Sequence, residues 1–205
     1  QTCTAPDYIL CHESVYEDLI SALQKNMDRF FSGGIDMATK DYCSIANEHH
    51  FNRIRSALRD AISGGAEIAC GGETSKDGLY FSPAVLTGVN YDNSIMQEEI
   101  FGPILPVVKV KNLEESINYI NSNEKPLALY LFSKKSSVHK KVLESTSSGG
   151  MVINDCVLHH MNPNLPFGGI NNSGVGSYHG KFGFDAFSHQ KAILKSSALS
   201  PFRAM

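Results

Sequence analysis

The chain has 205 residues, of which 42% are hydrophobic, and its formal net charge is −3 at neutral pH. This length and apolar content are enough for one substantial hydrophobic core. The 18 basic residues are scattered along the sequence, so there is no basic patch of the kind that binds nucleic acid or an anionic membrane surface. No stretch approaches the roughly 20 apolar residues of a membrane span, and none is predicted.

The five cysteines are odd in number and include no Cys-x-x-Cys pair. Their spacing therefore predicts neither a disulfide framework nor a zinc site. Reduced thiols are typical of the cytosol, so we expect a cytoplasmic protein. The adjacent His159 and His160 have no third ligand at a plausible spacing, and no metal site is predicted.

Hydrophobic periodicity predicts two amphipathic helices in the first third of the chain. The first should begin at a capping box formed by Ser14 and Glu17 and end at the glycine pair 33–34. The second should run from about Glu48 to the glycine pair 64–65. Its apolar face should consist of Phe51, Ile54, Leu58 and Ile62, and short strands are predicted at 8–10, 67–70 and 84–86.

From residue 104 onward the sequence alternates between predicted strands and predicted helices. This alternation is typical of a parallel sheet with helices on both faces, so we expect an α/β fold. A long stretch rich in Gly and Asn follows at 155–178 and predicts a functional loop, whereas 182–194 is predicted to be extended. The predicted strands are 104–110, 127–132 and 150–154, and the predicted helices are 112–120 and 138–145.

Three segments stand out in chain order: Gln-Thr-Cys at 1–3, Met-Gln-Glu-Glu-Ile-Phe-Gly-Pro at 96–103, and Leu-Pro-Phe-Gly-Gly at 165–169, which is followed by Asn-Ser-Gly. Together they resemble the C-terminal catalytic portion of an aldehyde dehydrogenase, and the resemblance extends to about residue 195. It implies a partial catalytic domain over 1–181. It also implies a C-terminal tail over 182–205 that adds a strand to an oligomer interface, most simply a dimer. The family's N-terminal cofactor-binding domain would precede Gln1 and is expected to be absent from these residues.

The resemblance implies that Cys3 is the nucleophile. A cysteine thiolate can add to an aldehyde carbonyl, and the adduct can then lose a hydride to a nicotinamide to give a thioester. The backbone N–H of Cys3 is expected to help hold the oxyanion. The other four cysteines are expected to be small buried hydrophobic side chains, with Cys43 equally compatible with an exposed position.

The resemblance further implies that Glu99 and Phe101 contact NAD or NADP. A carboxylate can accept two hydrogen bonds from a ribose diol, and an aromatic ring beside it can pack on the sugar or the nicotinamide. Phe167 is expected to line the aldehyde pocket, and Asn154 is expected to have a supporting structural role. The general base and the Asn that completes the oxyanion hole are expected upstream of Gln1.

Four further segments, at 5–8, 125–130, 177–181 and 187–190, resemble the class 3-type branch of the family. This implies medium- or long-chain aliphatic, or aromatic, aldehyde substrates and either NAD or NADP. Some members of this branch have a hydrophobic C-terminal anchor, but residues 196–205 are too short and too mixed for one. His179 in the third segment is expected to make a structural hydrogen bond.

Two other functions fit the same residues. The chain could be a catalytically inactive truncated product that acts as an interaction module through its tail, in which case it should expose apolar surface. Alternatively, Cys3 could serve a thioesterase- or esterase-like reaction without a nicotinamide, although no base for it is identified. Preferential alkylation of Cys3 over the other cysteines would distinguish the second alternative from the first.

Overall fold

The computed structural model describes residues 1–31, 42–75 and 77–196, and over that part of the chain strands and helices are interspersed. The strands are β1 (Ile9–His12), β2 (Glu67–Gly71), β3 (Thr74–Ser75), β4 (Tyr80–Phe81), β5 (Ala84–Val89), β6 (Ile104–Val110), β7 (Ala128–Leu131) and β8 (Gly150–Ile153). The α-helices are α1 (Tyr16–Phe30), α2 (Glu48–Ser63), α3 (Leu113–Ser122), α4 (Ser136–Ser145), α5 (Leu158–Met161) and α6 (Gly180–Ala186). None of the helices in these ranges is both long enough and apolar enough to cross a membrane.

A four-stranded mixed sheet in the order β1-β6-β5-β2 forms the centre of the fold. Strand β6 pairs in parallel with both β1 and β5, and β7 pairs in parallel with β8 in a separate two-stranded sheet. The predicted α/β class is confirmed, but a wholly parallel sheet is wrong because β2 runs antiparallel to β5. In the described part of the connection between these two strands, residues 72–75 and 77–83 contain β3, β4 and one 3-10 turn but no crossover helix of the kind that parallel strands usually need.

The two faces of the central sheet are covered by different helices. Successive side chains of a strand point to opposite faces, and neighbouring residues of β5 and β6 accordingly belong to different core clusters. Leu86 and Val108 pack with the buried face of α2, whereas Val85 and Val107 pack with α1. A third, smaller cluster joins β7 to α3 and α4 through Ile117, Leu129 and Val142.

The predicted bounds of α2 are confirmed, and its predicted buried face is confirmed at all positions but one. Asn47 caps it by accepting a hydrogen bond from the His50 N–H (2.9 Å), and the helix ends at Gly64. Ile62 was predicted on the buried face but is 43% exposed, and Ala61 is fully buried instead. Because an α-helix turns about 100° per residue, the last turn of α2 directs position 61, and not position 62, toward the sheet.

The predicted start of α1 is wrong. The helix begins at Tyr16, after a 3-10 turn over Glu13–Val15, and its N-cap residue Val15 makes no capping bond through its side chain. The Ser14 hydroxyl is instead hydrogen-bonded to His12 Nδ1 (2.9 Å), which also accepts from the Ser14 N–H. The helix ends at Phe30, and the glycine pair predicted to end it lies outside the described residues.

The predicted extended conformation of 182–194 is wrong over its first part, because α6 covers Gly180–Ala186. The N–H groups of Phe182 and Gly183 bond to the His179 carbonyl, and Lys181 pairs with Asp185 one turn later. The described residues after α6 form no strand within this chain. A strand needs a neighbour for its backbone groups, so strand formation on a second subunit stays a prediction.

Replacement of Ile54 by Ala should lower the free energy of unfolding by about 2–5 kcal/mol, because it leaves a cavity at a fully buried position between α2 and the sheet. The matched control is Ile62→Ala on the same helix, where a 43% exposed side chain is removed and the loss should stay below about 1 kcal/mol. Urea denaturation of the purified variants measures both values. Equal losses at the two positions would contradict the assigned buried face.

Candidate active site

Cys3 lies in a tight turn just before β1. The Ala5 N–H donates to the Thr2 carbonyl (3.1 Å), which makes Cys3 and Thr4 the central residues of a β-turn. The Cys3 side chain is exposed, whereas Thr4 is only 3% exposed. Among the described residues, the Cys3 backbone N–H has no hydrogen-bond acceptor. The turn thus presents both the thiol and a free N–H, as the predicted nucleophile and oxyanion donor require.

This turn is held by hydrogen bonds from two other parts of the chain. The Gln1 side chain donates to the Ser44 carbonyl (3.1 Å) and accepts from the Ala46 N–H (3.0 Å). On the other side, the Tyr130 hydroxyl of β7 donates to the Thr4 carbonyl (2.6 Å). Sequence reasoning missed both contacts; the available signal was a tyrosine in an apolar strand, whose hydroxyl needs a partner when buried.

The predicted cofactor residues lie in the irregular segment that leads into β6. Glu99 is exposed and Phe101 is 42% exposed, whereas Ile100 between them is only 3% exposed. Phe101 has a φ of 47°, in the left-handed region that few non-glycine residues adopt. Its ring therefore remains accessible while the neighbouring residue is buried in the core.

The structure brings the Cys3 turn and the Glu99–Phe101 segment to the same edge of the sheet. Strands β1 and β6 are parallel neighbours, with Ile9 opposite Val107, so the residues that precede each strand lie at the same end. A direct hydrogen bond joins the two segments, because Asp7 Oδ1 accepts from the Ile100 N–H (2.9 Å). These two predicted parts of the site are therefore adjacent.

Phe167 is placed differently, inside a cluster of rings. It forms an isolated β-bridge with Tyr178 through two backbone hydrogen bonds of 3.0 and 2.9 Å. Its ring is 6% exposed, stacks on His179 at 5.6 Å and meets His160 edge-on at 4.7 Å. The ring of His159 lies 5.7 Å from Phe167 and 6.0 Å from Tyr130, which connects this cluster to the Cys3 turn. A contact between Phe167 and an aldehyde stays a prediction.

The two glycines after Phe167 are needed for close backbone packing. A Cβ atom added at Gly168 would lie 2.1 Å from the Gly176 carbonyl oxygen, and one at Gly169 would lie 2.1 Å from the Ser173 carbonyl oxygen. Neither glycine has a positive φ. Close approach of the backbone, and not a left-handed conformation, is therefore the reason that these two positions require glycine.

Three histidines of this cluster have buried ring nitrogens without hydrogen-bond partners among the described residues: both nitrogens of His159, and Nδ1 of His160 and of His179. Burial, together with the neighbouring His160, lowers the pKa of His159 below its ordinary value of 6.5. In the described part of the chain, no group of three His, Cys, Asp or Glu side chains is arranged to hold a metal ion. A neutral ring is the form that this environment favours for His159.

Asn154 has the structural role that the sequence predicts. With a φ of 61°, it ends β8, its N–H donates to the Leu131 carbonyl (2.7 Å), and its side-chain oxygen accepts from the Ser133 N–H (2.9 Å). It thereby joins the carboxyl ends of β7 and β8. Asparagine tolerates the left-handed conformation better than most residues, which suits it to this position.

The remaining cysteines differ from Cys3 in their surroundings. Cys11 is buried, Cys70 and Cys156 are half-buried, and burial raises the pKa of all three thiols. A raised pKa leaves less of the reactive thiolate at neutral pH. Cys43 is exposed like Cys3, in agreement with one of its two predicted positions. It is therefore the natural control for the reactivity of Cys3.

Comparison with known proteins places these features in a family. The aldehyde dehydrogenase family model matches residues 1–193. Aldehyde dehydrogenase family 3 member A2 of Rattus norvegicus is 48% identical over 194 residues, which cover 95% of this chain and 39% of the relative. The dimeric NADP-preferring aldehyde dehydrogenase of Rattus norvegicus is 44% identical over 200 residues, which cover 98% of this chain and 43% of that protein.

Among solved structures, the substrate-bound state of Staphylococcus aureus AldH matches with a TM-score of 0.88 and 44% sequence identity. The match covers 99% of this chain and 45% of that one. The chain thus spans less than half the length of these relatives.

Replacement of Tyr130 by Phe should lower the free energy of unfolding by about 1 kcal/mol, because the Thr4 carbonyl loses its donor. The control is Tyr178→Phe, which removes a hydroxyl from a half-exposed ring and should cost less than about 0.5 kcal/mol. Urea denaturation measures both changes. A Tyr130 variant as stable as the unmodified protein would show that this bond does not hold the turn.

The stability of the protein should fall as the pH is lowered below 6.5, in part through His159. Its folded pKa is depressed, so the unfolded chain takes up the proton first, and stability is lost as the pH falls through 6.5 toward the lower folded pKa. Urea midpoints at about pH 7.5 and about pH 5.5 measure the loss, which should be smaller in His159→Leu. His49→Leu, at an exposed position of α2, serves as control, and an unchanged pH dependence in the His159 variant would contradict the assignment.

Proposed function

Because the chain belongs to the aldehyde dehydrogenase family, we propose that the protein to which these residues belong oxidises aldehydes to carboxylic acids with NAD or NADP, using Cys3 as the nucleophile. The observation that carries the proposal is the position of Cys3. It is exposed in a turn held from two sides, and this turn lies at the same sheet edge as the exposed Glu99 and Phe101.

In the proposed reaction, the Cys3 thiolate forms a bond to the carbonyl carbon, and the carbonyl π electrons move to oxygen. The free backbone N–H of Cys3 donates to this oxyanion. Collapse of the adduct breaks the C–H bond and expels a hydride, which leaves a thioester on Cys3. When bound, the nicotinamide cofactor accepts that hydride. Water then cleaves the thioester, so that one aldehyde, one water and one oxidised cofactor give a carboxylic acid, a reduced cofactor and a proton.

The chemistry of Glu99 and Phe101 fits a nicotinamide dinucleotide. Glu99 offers an exposed carboxylate, which can accept hydrogen bonds from a ribose diol, and Phe101 offers a half-exposed ring for packing. The backbone between them is anchored through buried Ile100, so both groups are presented on a fixed support. A fixed support lowers the entropy lost when a ligand binds.

The steps after thioester formation are assigned to residues outside this chain. The resemblance implies a general base and a second oxyanion donor that precede the nucleophile, and the chain spans only 39% of the rat relative. We therefore expect the isolated 205 residues, a C-terminal catalytic portion, not to complete a turnover. Production of NAD(P)H from a long-chain aldehyde by the isolated chain would contradict this expectation.

The substrate and assembly belong to the same proposal. The class 3-type segments favour medium- or long-chain aliphatic, or aromatic, aldehydes, and the cysteine spacing, which predicts no disulfide framework, favours the cytoplasm. One relative, the dimeric NADP-preferring aldehyde dehydrogenase of Rattus norvegicus, supports NADP as a cofactor and a homodimer as the assembly. The tail would contribute to the dimer interface, since Phe184, Phe187 and Leu194 are 72%, 95% and 94% exposed and exposed apolar clusters mark association surfaces.

The two alternatives are less well supported. Exposed apolar surface was expected for a non-enzymatic interaction module, but a dimer interface accounts for it equally well. An esterase-like reaction would use Cys3 without Glu99 or Phe101, and it gives no reason for their placement beside the turn.

Replacement of Cys3 by Ser should lower aldehyde oxidation by the whole protein about a thousandfold or more, because the hydroxyl is a far weaker nucleophile. The matched control is Cys43→Ser, at the other exposed cysteine, which should retain activity within about twofold. NAD(P)H absorbance with a medium-chain aldehyde gives the rates. Activity that survives in Cys3→Ser would overturn the proposed nucleophile.

A further inference from the structure

The backbone of the predicted cofactor segment is held by two side chains that the proposed reaction does not use. Asp7 Oδ1 accepts from the Ile100 N–H at 2.9 Å. Arg53 of α2 donates to the Ile100 carbonyl at 2.5 Å and, through its other nitrogen, to the Glu99 carbonyl at 3.5 Å. Both polar groups of Ile100 are thereby fixed by charged side chains from different parts of the fold.

This double attachment explains how Phe101 keeps its unusual backbone conformation. A φ of 47° is strained for a residue with a Cβ atom and persists only where surrounding contacts determine it. Ile100 is 3% exposed immediately before it, and a Cβ atom at Gly102 immediately after it would lie 2.7 Å from the Ile54 side chain. The backbone is thus confined on both sides of Phe101.

Asp7 also belongs to the segment of the nucleophile. It lies four residues after Cys3, between the turn and β1, and its bond to Ile100 joins positions 93 residues apart in sequence. Burial, with a smaller contribution from the charge of Glu99, raises the pKa of Asp7 above its ordinary value, although the N–H groups of Ile100 and Phe101 and the Arg53 charge oppose the rise. A half-buried carboxyl with such partners is a structural tie with defined geometry.

We propose that Asp7, supported by Arg53, is a positioning residue that sets the location of Glu99 and Phe101 relative to the Cys3 thiol. This inference rests on the proposed function. Without the tie, the cofactor segment would relax away from the strained conformation while the Cys3 turn, held by Gln1 and Tyr130, would stay in place. The rate of hydride transfer should therefore fall, whereas the reactivity of the Cys3 thiol should stay the same.

The test uses Asp7→Ala and the milder Asp7→Asn in the whole protein, with Asp60→Asn as the matched control. Asp60 is an exposed acidic residue on α2 that pairs with Arg59 and not with the cofactor segment. Alkylation of Cys3 by iodoacetamide needs no cofactor, so its rate reports on the nucleophile separately from aldehyde oxidation. Hydrogen exchange of the peptide that contains residues 98–102 measures how readily the backbone of this segment opens. If the Ala variant unfolds, the same measurement is made on the Asn variant.

We expect Asp7→Ala to lower kcat about tenfold to a hundredfold, as a small misplacement of reacting groups does, and to raise the KM for the cofactor. Cys3 alkylation should change less than about twofold, and exchange at 98–102 should accelerate. Asp7→Asn should show the same pattern more weakly, because its amide oxygen still accepts one hydrogen bond.

Unchanged oxidation in both Asp7 variants, or equal losses of oxidation and of Cys3 alkylation, would overturn the positioning role and leave the proposed function intact. The same holds if hydrogen exchange at 98–102 does not change. If the unmodified whole protein oxidises no aldehyde with either cofactor, the proposed function is wrong, and this inference is wrong with it.

Discussion

The parallel pairing of β1 with β6 is the constraint on which the rest of the candidate site depends. It sets Ile9 opposite Val107, so two segments almost 100 residues apart in sequence enter the sheet side by side. Parallel strands require a long connection, and here that connection includes α1, α2 and β5, which supply both faces of the core. The exposed Cys3 and the exposed Glu99 and Phe101 are thus adjacent because the sheet is formed in this order.

The strand pairing brings the Cys3 turn and the segment before β6 close together, and polar contacts then fix the backbone of each. Gln1 and Tyr130 hold the Cys3 turn, while Asp7 holds the segment before β6. These bonds fall on irregular backbone, where no regular ladder satisfies the N–H and carbonyl groups. The ring cluster around Phe167 is stabilised differently, by aromatic packing. Several of its histidine nitrogens have no hydrogen-bond partner in the described part of the chain. Its connection to the Cys3 turn passes through Tyr130 and His159.

Much of the fold could be predicted because local signals agreed with tertiary structure. Strand β6 and helix α2 follow from apolar periodicity, which is encoded within a few residues. The predicted capping box at Ser14 was wrong because His12 competes for the Ser14 hydroxyl, and the predicted extended conformation was wrong over residues 182–186 because these residues belong to helix α6. The side chains that tie the site together were not identified, since Asp7, Arg53 and Tyr130 act through contacts between residues more than 40 positions apart. No local pattern carries that information.

The most direct test of the central claim is the loss of aldehyde oxidation as cysteines of the whole protein are alkylated by iodoacetamide at neutral pH, with each site quantified by mass spectrometry. We expect activity to fall in proportion to the modification of Cys3, ahead of Cys43, which is also exposed, and we expect aldehyde together with cofactor to protect Cys3. Activity that persists after complete alkylation of Cys3, or activity that is lost while Cys3 is still unmodified, would contradict it.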